Sequence, residues 1–326
     1  DSFRMTKRQF IKMSFLEIQN TSIGYSEPLI SDINTSLELG EVCLLMGNNG
    51  IGKTTLIKSI LGQNKLLSGE ISINGKAILK LNPNEIASQI AIVFSKAEIP
   101  DNYTVIDLIS LGKYIHYPYY FKLNEKDKVE IDDIIDKLNL TQFRDKKLTE
   151  LSDGNLQKVF IGRALAQNSP FIILDEPTTH LDEENKLMIL SLIRNLAKNE
   201  KKLILFSSHD WRLAKEFSDK IWWLKDKKLI SGISEEIILN NPELITPKIL
   251  DFNKNFHPPE IDAPKLEKEM MFSFLQKNFA SDLTKFKLTF KNNIWELKLD
   301  NFYDNCHTLA EIKQSLQNLI KTDTFN

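Results

Sequence analysis

Cysteine, long apolar runs and an excess of charge of one sign are all scarce in this sequence of 326 residues. Its two cysteines, Cys43 and Cys306, make no metal-ligand spacing and no disulfide framework, which is consistent with a reducing compartment. No stretch approaches the roughly 20 apolar residues that a membrane-spanning helix needs, and we find no secretory signal. The formal net charge of −2 gives no sign of a bulk nucleic-acid binder. Any role at a membrane is therefore expected to come through a partner.

The sequence does contain a glycine-rich stretch, Gly47 to Thr55, that fits the pattern G-x-x-x-x-G-K-[ST]. The apolar run Val42 to Met46 precedes it and predicts a strand buried on both faces, and apolar residues at helical spacing follow it. Strand, loop and helix in this order turn backbone N–H groups and the positive end of a helix dipole toward an anion. Lys53 is expected to reach the outer phosphates of a nucleotide, and the Thr54 hydroxyl to ligate Mg²⁺. The remaining loop residues predicted to bind ATP are Gly47, Asn48, Asn49, Gly50, Ile51, Gly52 and Thr55. A chance glycine-rich turn is the alternative, which the flanking strand and helix disfavour.

Two carboxylates end a second apolar run. The run Phe171 to Leu174 predicts a buried strand, and Asp175 and Glu176 follow it directly. Next to a phosphate-binding loop, Asp175 is expected to reach the Mg²⁺ coordination sphere through water, and Glu176 to polarise the attacking water. Carboxylates that merely cap a strand are the alternative. A further apolar strand, Leu203 to Phe206, leads to His209, a lone histidine that would be structural in most proteins but is expected at the same sheet edge.

Shorter patterns surround these motifs. Alternation of apolar and polar residues predicts half-buried strands at Phe15 to Gln19 and at Ile33 to Leu39. The stretch Ser68 to Ile78 predicts a hairpin, because Asn74-Gly75 suits a tight primed turn. Apolar residues at helical intervals predict mainly helices over residues 84–148.

Taken together in this order, the motifs resemble those of the ATP-binding subunit of an ATP-binding cassette (ABC) transporter, over roughly Phe15 to Gly232. Besides the two motifs described above, three further family motifs are represented. The signature matches Leu151 to Asn155, the D-loop matches Leu181-Asp182, and the switch histidine matches His209. The ordered combination is highly specific to this family.

The resemblance implies a role for each matching residue. Tyr25 would stack on adenine, Glu176 would be the general base, His209 would contact the γ-phosphate, and Asp182 would tie two half-sites together. The family uses two such subunits head to tail, so that the signature of one chain closes over the ATP held by the other. The signature residues expected at that ATP are Ser152, Gly154 and Asn155. A lone chain is therefore expected to be nearly inactive.

Two departures from the family pattern affect these expectations. The usual signature reads Leu-Ser-Gly-Gly-Gln, whereas Asp153 and Asn155 replace its third and fifth residues here. Ser95 occupies the place of the Q-loop glutamine, which in the family contacts Mg²⁺ and transmits movement to the membrane subunit. Ser95 is thus a further candidate contact to Mg²⁺ through water, and we expect coupling through a modified loop rather than loss of ATPase activity.

Within the family, the stretch Asp101 to Tyr114 is similar to subunits of importers for ferric siderophores, haem and vitamin B12. In those proteins this stretch lies near the groove that receives the membrane subunit's coupling helix. The adjoining aromatic residues from Tyr114 to Phe121 indicate either a docking surface or an internal aromatic core, and the sequence does not choose between them.

The expected fold is α/β, with a P-loop ATPase core, an N-terminal antiparallel β-subdomain, an inserted helical subdomain and a small C-terminal α+β appendage. Residues 1–12 are expected to be a leader outside the fold, residues 13–240 the ATPase domain, and about 84–150 its helical subdomain. Prolines predict a linker over 241–262, followed by the accessory domain over 263–326.

The expected function is MgATP hydrolysis by a homodimer at the cytoplasmic face of the membrane, which energises import of an iron-siderophore, haem or cobalamin-type substrate through a membrane permease. ATP and Mg²⁺ are the expected cofactors. The expected partners are two polytopic permease subunits and, indirectly, a substrate-binding protein, and we expect no nucleic acid. Two alternatives stay open. One is a soluble cassette ATPase acting on ribosomes or nucleic acid, although such chains usually carry two cassettes or a long coiled coil, neither of which is seen here. The other is a catalytically weak regulatory module.

Overall fold

The computed structural model describes residues 14–95, 102–117, 122–179, 181–208, 210, 216–241, 244, 256–299 and 302–323. The chain divides into two compact units, Asp1–Ile245 and Thr246–Asn326. We call them the cassette unit and the C-terminal unit, and each is described by itself.

The cassette unit contains strands and helices that we number in chain order. Its strands are β1 (Leu16–Gly24), β2 (Pro28–Leu37), β3 (Val42–Met46), β4 (Ser68–Ile73), β5 (Lys76–Ala77), β6 (Ile90–Val93), β7 (Phe171–Leu174), β8 (Leu203–Ser208), β9 (Lys220–Lys225) and β10 (Lys228–Ile233). Its described helices are α1 (Lys53–Ile60), α2 (Pro83–Gln89), α3 (Val105–Ser110), α4 (Glu125–Lys137), α5 (Asp153–Ala166), α6 (Glu183–Glu200) and α7 (Ser234–Asn240).

A six-stranded sheet forms the centre of the cassette unit, in the order β10-β9-β3-β8-β7-β6. Strands β9, β3, β8, β7 and β6 pair in parallel, and only β10 is antiparallel to its neighbour. Alternate residues of β3 pack into two different cores, Val42 and Leu44 on one face and Cys43 and Leu45 on the other. Burial on both faces explains why these strands are continuous apolar runs, as the sequence predicted.

The first strands form a separate antiparallel sheet in the order β2-β1-β4-β5. This sheet and α1 cover one face of the central sheet through a shared core. The predicted hairpin is confirmed: β4 and β5 join through Asn74 and Gly75, whose φ angles of 48° and 74° fit a primed turn.

Helices α3, α4, α5 and α6 contribute to the core on the other face of the central sheet. Arg163 of α5 donates a hydrogen bond to the Ile92 carbonyl of β6 at 3.0 Å, which ties this helical layer to the sheet edge. Residues 84–148 were predicted to be mainly helical, but strand β6 lies within this range, because its apolar residues pair with β7. Of the aromatic cluster, Tyr114 is exposed and Tyr117 donates a hydrogen bond to Asp127, whereas residues 118–121 lie outside the described residues.

The C-terminal unit is a four-stranded sheet with two helices. Its elements are β11 (Glu260–Asp262), α8 (Lys265–Asn278), β12 (Lys287–Lys291), β13 (Ile294–Leu299), β14 (Phe302–Cys306) and α9 (Leu309–Asp323). The strand order is β11-β12-β13-β14, with β11 parallel to β12 and the others antiparallel. Residues of both helices and all four strands share one core, so this unit has its own hydrophobic interior.

In this unit β12 and β13 form a hairpin, and Asn292 and Asn293 turn it with φ angles of 50° and 62°. Two edge strands were not predicted. Strand β11 lies in the range assigned to the linker, where Pro258-Pro259 suggested a break, and β14 contains Asp304 and Asn305, which are poor strand formers. The expected α/β fold class, with its β-subdomain, helical layer and small appendage, is confirmed.

Candidate active site

The glycine loop connects the buried strand β3 to α1, as the sequence predicted. Lys53 is the first residue of α1, and its side chain turns back into the loop. The Lys53 Nζ atom donates hydrogen bonds to the carbonyl oxygens of Gly47, at 2.8 Å, and Asn48, at 3.4 Å. The loop thus holds a buried ammonium group beside a helix N-terminus, an arrangement suited to a phosphate.

Two positions of this loop require glycine. Gly47 has no room for a side chain, and Gly52 has a backbone conformation that other residues rarely adopt. A Cβ at Gly47 would lie 2.8 Å from the Ile51 Cγ2 atom and 3.1 Å from the Leu224 Cβ atom. Gly52 precedes α1 with a φ of 117°, which other residues rarely adopt. The other predicted ATP-binding residues here lie between β3 and the first turn of α1: Asn48, Asn49, Gly50, Ile51, Thr54 and Thr55. The Thr54 residue is exposed, whereas Thr55 is buried.

Asp175 follows β7 and is fixed by two hydrogen bonds. Its backbone N–H donates to the Val93 carbonyl at 2.9 Å, and its Oδ1 atom accepts a hydrogen bond from the Ser207 hydroxyl at 2.7 Å. Only 7% of Asp175 is exposed. Within the described residues, no hydrogen bond reaches the Oδ2 atom. One oxygen of the carboxylate is therefore anchored by the protein and the other is not.

Glu176 has a left-handed backbone, with a φ of 51°. Such a conformation is uncommon for a non-glycine residue and is concentrated at functional sites. The Glu176 Oε1 atom lies 3.9 Å from the Lys53 Nζ atom, and Oε2 accepts a hydrogen bond from the Thr179 hydroxyl at 3.3 Å. This contact brings the second carboxylate next to the lysine of the glycine loop.

Strand register explains why residues so distant in sequence meet here. In the parallel pairing, Met46 of β3 is opposite Ser208 of β8, and Leu174 of β7 is opposite Phe206. The glycine loop, the two carboxylates and the end of β8 consequently leave the sheet at one edge, where open α/β sheets bind ligands. His209, the predicted switch histidine, directly follows β8 and lies outside the described residues.

The signature residues and the D-loop aspartate lie together at the starts of two helices. Ser152 precedes α5 and its hydroxyl accepts a long hydrogen bond, 3.5 Å, from the Asn155 backbone N–H. Asp182 caps α6 and accepts hydrogen bonds from the Asn185 backbone N–H, at 2.8 Å, and from its side-chain amide, at 3.1 Å. A Cβ at Gly154 would lie 2.5 Å from the Asn185 Oδ1 atom. Among the described residues, no hydrogen bond or ion pair joins this group to the glycine loop of the same chain.

Two predicted residues stand apart from these contacts. Tyr25, directly after β1, is 72% exposed. Ser95 is exposed two residues after β6, the strand next to β7, and no described residue hydrogen-bonds to its side chain. The roles predicted for both remain predictions.

Sequence reasoning missed three residues that touch the predicted ones: Thr179, Asn185 and Ser207. Their contacts with Glu176, Gly154 and Asp175 depend on turns and on strand register, which no motif encodes. Only Ser207 left a signal, because a hydroxyl directly after the apolar run Leu203 to Phe206 is unusual in a buried strand.

Comparison with known proteins agrees with this geometry. Residues 30–179 match the sequence profile of the ABC transporter family. The iron(3+)-hydroxamate import ATP-binding protein FhuC of Bacillus subtilis is 34% identical over 239 residues, which cover 73% of this chain and 87% of that protein.

Solved structures agree as well. An ATP-binding cassette of an ABC transporter in its ADP conformation has a TM-score of 0.65 and 26% identity, over 73% of this chain and 98% of its own. A dimeric cassette in a post-hydrolysis state, bound to ADP and phosphate, has a TM-score of 0.59 and 25% identity, over 67% of this chain and 98% of its own. The chain therefore belongs to the ABC transporter family and is an ABC-type ATPase, the ATP-binding subunit of such a transporter.

Proposed function

We propose that this subunit hydrolyses MgATP as a head-to-tail homodimer and drives import of an iron chelate through two membrane permease subunits. The observation that carries the proposal is the meeting of Lys53, Asp175 and Glu176 at one sheet edge, with 3.9 Å between the Lys53 Nζ and Glu176 Oε1 atoms. A cation for the phosphates, a metal ligand and a base are the parts that phosphoryl transfer to water requires.

The residues present fit a magnesium ion. Asp175 offers Oδ2, which no described residue hydrogen-bonds, and Thr54 is an exposed residue with a hydroxyl at the start of α1. No group of three or more acidic, histidine or cysteine side chains forms a metal cluster in the described part of the chain. Mg²⁺ keeps water and phosphate oxygens as ligands and needs few protein groups. When bound, the ion would neutralise charge on the phosphates.

The chain's own residues would hold the phosphates and the attacking water in position. Lys53 would place its ammonium group on the outer phosphates. In doing so it would exchange its present hydrogen bonds to the Gly47 and Asn48 carbonyls for hydrogen bonds to phosphate oxygens. Glu176 would take a proton from the attacking water, with its carboxylate oriented by Thr179. His209 is proposed to contact the γ-phosphate, and Ser95 to reach the metal through water.

The dimer is proposed because one chain lacks part of the site. The signature residues Ser152, Gly154 and Asn155 lie at the start of α5, and the described contacts do not join them to the glycine loop of their own chain. A helix N-terminus attracts phosphate, so these residues suit the ATP of a second copy. Association as a dimer is also what the post-hydrolysis cassette structure displays. Asp182, which contacts Asn185 beside Gly154, would link the two half-sites.

The partners and substrate class are proposed from the relatives. None of the helices that the structure describes has the length and apolarity needed to span a bilayer. We propose permease subunits as the partners that carry out the transport, and they would hold this chain at the cytoplasmic face of the membrane. FhuC is named as an import protein for iron(3+)-hydroxamates, which supports an iron chelate as the substrate class.

Affinity purification of the tagged full chain from gently solubilised membranes tests the proposal. We expect a polytopic permease and Mg²⁺-dependent ATPase activity in the same fraction. The matched control is Lys53→Ala, which should retain the permease and lose the activity. Recovery only with ribosomes or nucleic acid would overturn the transport assignment, and a permease complex without ATPase activity would indicate a regulatory module. Uptake of radiolabelled ferric hydroxamate, haem and cobalamin by cells with and without the gene would then identify the substrate class.

A further inference from the structure

The hydroxyl of Ser207 lies between the two carboxylate residues of the site. Ser207 is in β8, is fully buried, and belongs to none of the motifs that identified the family. Its Oγ atom donates a hydrogen bond to the Asp175 Oδ1 atom at 2.7 Å. The same Oγ atom accepts a hydrogen bond from the Glu176 backbone N–H at 2.8 Å. One side chain thus contacts the predicted metal ligand and the backbone of the predicted base.

The chemistry of a hydroxyl makes this arrangement directional. A serine carries one proton and two lone pairs. An ionised Asp175 carboxylate has no proton to donate, so the serine proton is directed to Oδ1. A lone pair of the serine oxygen is left to accept from the Glu176 N–H. Ser207 has no exposed surface, so solvent does not compete for either bond. A hydrogen bond to an ionised group is also stronger than one between neutral groups.

We propose that Ser207 is a positioning residue for ATP hydrolysis. By occupying Oδ1 it orients the Asp175 carboxylate so that Oδ2 is the oxygen offered to Mg²⁺. By accepting from the Glu176 N–H it holds that residue in its left-handed backbone conformation, with a φ of 51°, and so aims the carboxylate of the base. The inference rests on the proposed function, because it assigns Ser207 a role in the same metal site and the same proton transfer.

The contacts with the two carboxylate residues depend on the position of Ser207 in β8, because the adjacent serine does not make them. The four residues of β8 before Ser207 are apolar and buried. Ser208 follows it, and the Ser208 hydroxyl accepts from the Asp210 backbone N–H at 3.0 Å and touches neither carboxylate in the described contacts. A hydroxyl in a buried strand costs free energy unless it is hydrogen-bonded, and at Ser207 both bonds go to the site.

The chain offers a matched control at the opposite end of β7. Ser169 is also fully buried, and its hydroxyl also donates one hydrogen bond, to the Ala87 carbonyl at 2.7 Å, and accepts one, from the Gln167 side-chain amide at 3.1 Å. Ser169→Ala therefore removes the same chemical group and the same number of bonds without touching Asp175 or Glu176. Ser207→Thr retains the hydroxyl on a side chain suited to a strand.

The test uses the full chain with Ser207→Ala, Ser207→Thr or Ser169→Ala. Binding of a fluorescent ATP analogue is measured on the purified chain with increasing Mg²⁺ and in EDTA, and kcat and KM are measured on the complex with its membrane partners. For Ser207→Ala we expect a kcat about 10- to 100-fold lower, as for a lost hydrogen bond to a charged group. We also expect several-fold more Mg²⁺ for half-maximal binding and unchanged affinity in EDTA. Ser207→Thr should recover most of both losses, and Ser169→Ala should change neither.

The possible outcomes separate this inference from the proposed function. If Ser207→Ala stays within twofold of Ser169→Ala in both kcat and Mg²⁺ requirement, the positioning role is wrong while the ATPase proposal stands. If Ser207→Ala weakens ATP binding equally with Mg²⁺ and in EDTA, the hydroxyl is merely structural. If the parent complex has no Mg²⁺-dependent turnover, the proposed function fails and takes the role of Ser207 with it.

Discussion

The cassette unit and the C-terminal unit differ in where they place glycine and charge. All 12 glycines of the sequence lie between Gly24 and Gly232, so the C-terminal unit has none. Its hairpin is turned instead by Asn292 and Asn293, which tolerate positive φ. Glycine is needed where backbone must approach a ligand closely. The C-terminal unit therefore has no stretch that could form a second phosphate loop.

Buried polar groups differ in the same way. The cassette unit buries charged side chains, including Lys53 and Asp175 at the site, Lys113 beside Glu130, and Lys202. In the described part of the C-terminal unit, no charged side chain is buried, and its core is made of apolar residues and Cys306. Burying charge is costly unless function or pairing repays it. The buried charges, and with them the chemistry, therefore lie in the cassette unit, whereas the interior of the C-terminal unit is built for packing.

The largest expected effect comes from the base. Glu176→Gln removes the carboxylate that accepts the proton but retains the shape, so kcat should fall at least about 100-fold while ATP still binds. The variant should accumulate an ATP-bound dimer, detected by size-exclusion chromatography with ATP and Mg²⁺. Glu296→Gln on β13 of the C-terminal unit is the control and should turn over at the parent rate. Rapid turnover by Glu176→Gln would show that another group is the base.

The next prediction tests whether the two units unfold separately. Leu205 of β8 and Leu297 of β13 are both fully buried, one in each unit. Truncating either to alanine should cost about 2–5 kcal/mol through lost packing and a cavity. In calorimetry, we expect ATP with Mg²⁺ to raise only the transition that Leu205→Ala lowers, because a ligand stabilises the unit that binds it. Leu297→Ala should lower the other transition. One shared transition, shifted equally by both variants, would show that the two units do not unfold separately.

Local patterns in the sequence were sufficient to predict part of the fold and part of the site. The glycine loop, the carboxylates after β7 and the turn at Asn74-Gly75 are encoded within about ten residues, so their place and form could be predicted. Ser207 could not, because its contact with Asp175 depends on the register that sets Leu174 opposite Phe206. Pairing register is decided by the whole sheet and not by the strand itself.

The edges of the C-terminal sheet were missed for a related reason. Strand β11 has three residues after two prolines, and β14 includes Asp304 and Asn305, so propensity argues against both. Each forms because a central strand offers it backbone partners, β12 for β11 and β13 for β14. Tertiary context therefore overrides local preference where a strand has a partner on one side only.

The smallest expected effects compare one ion pair from each unit. In the cassette unit, Asp219 accepts hydrogen bonds from the Val42 backbone N–H at 2.9 Å and from Lys198 at 3.0 Å, and it forms an ion pair with Arg194 at 2.8 Å. Its side chain is 25% exposed. Asp219→Asn should cost about 1.5–3 kcal/mol, because a partly buried charged acceptor is lost. In the C-terminal unit, the Glu260 and Lys287 side chains are 66% and 45% exposed, so Glu260→Gln should cost at most about 0.5 kcal/mol.

The pH dependence of unfolding tests whether Asp219 stabilises the cassette unit through its charge. Burial acts to raise the pKa of Asp219, but the hydrogen bonds from Val42 and Lys198 and the ion pair with Arg194 outweigh it and hold the pKa below its usual value. A carboxyl with a lowered folded pKa contributes stability that is complete above the unfolded pKa, about 4, and is lost as the pH falls through the folded value. The difference in unfolding free energy between the parent and Asp219→Asn, measured with urea, should therefore shrink as the pH is lowered below about 4. A difference that stayed constant down to pH 2 would show that Asp219 stabilises the cassette unit by shape and not by charge.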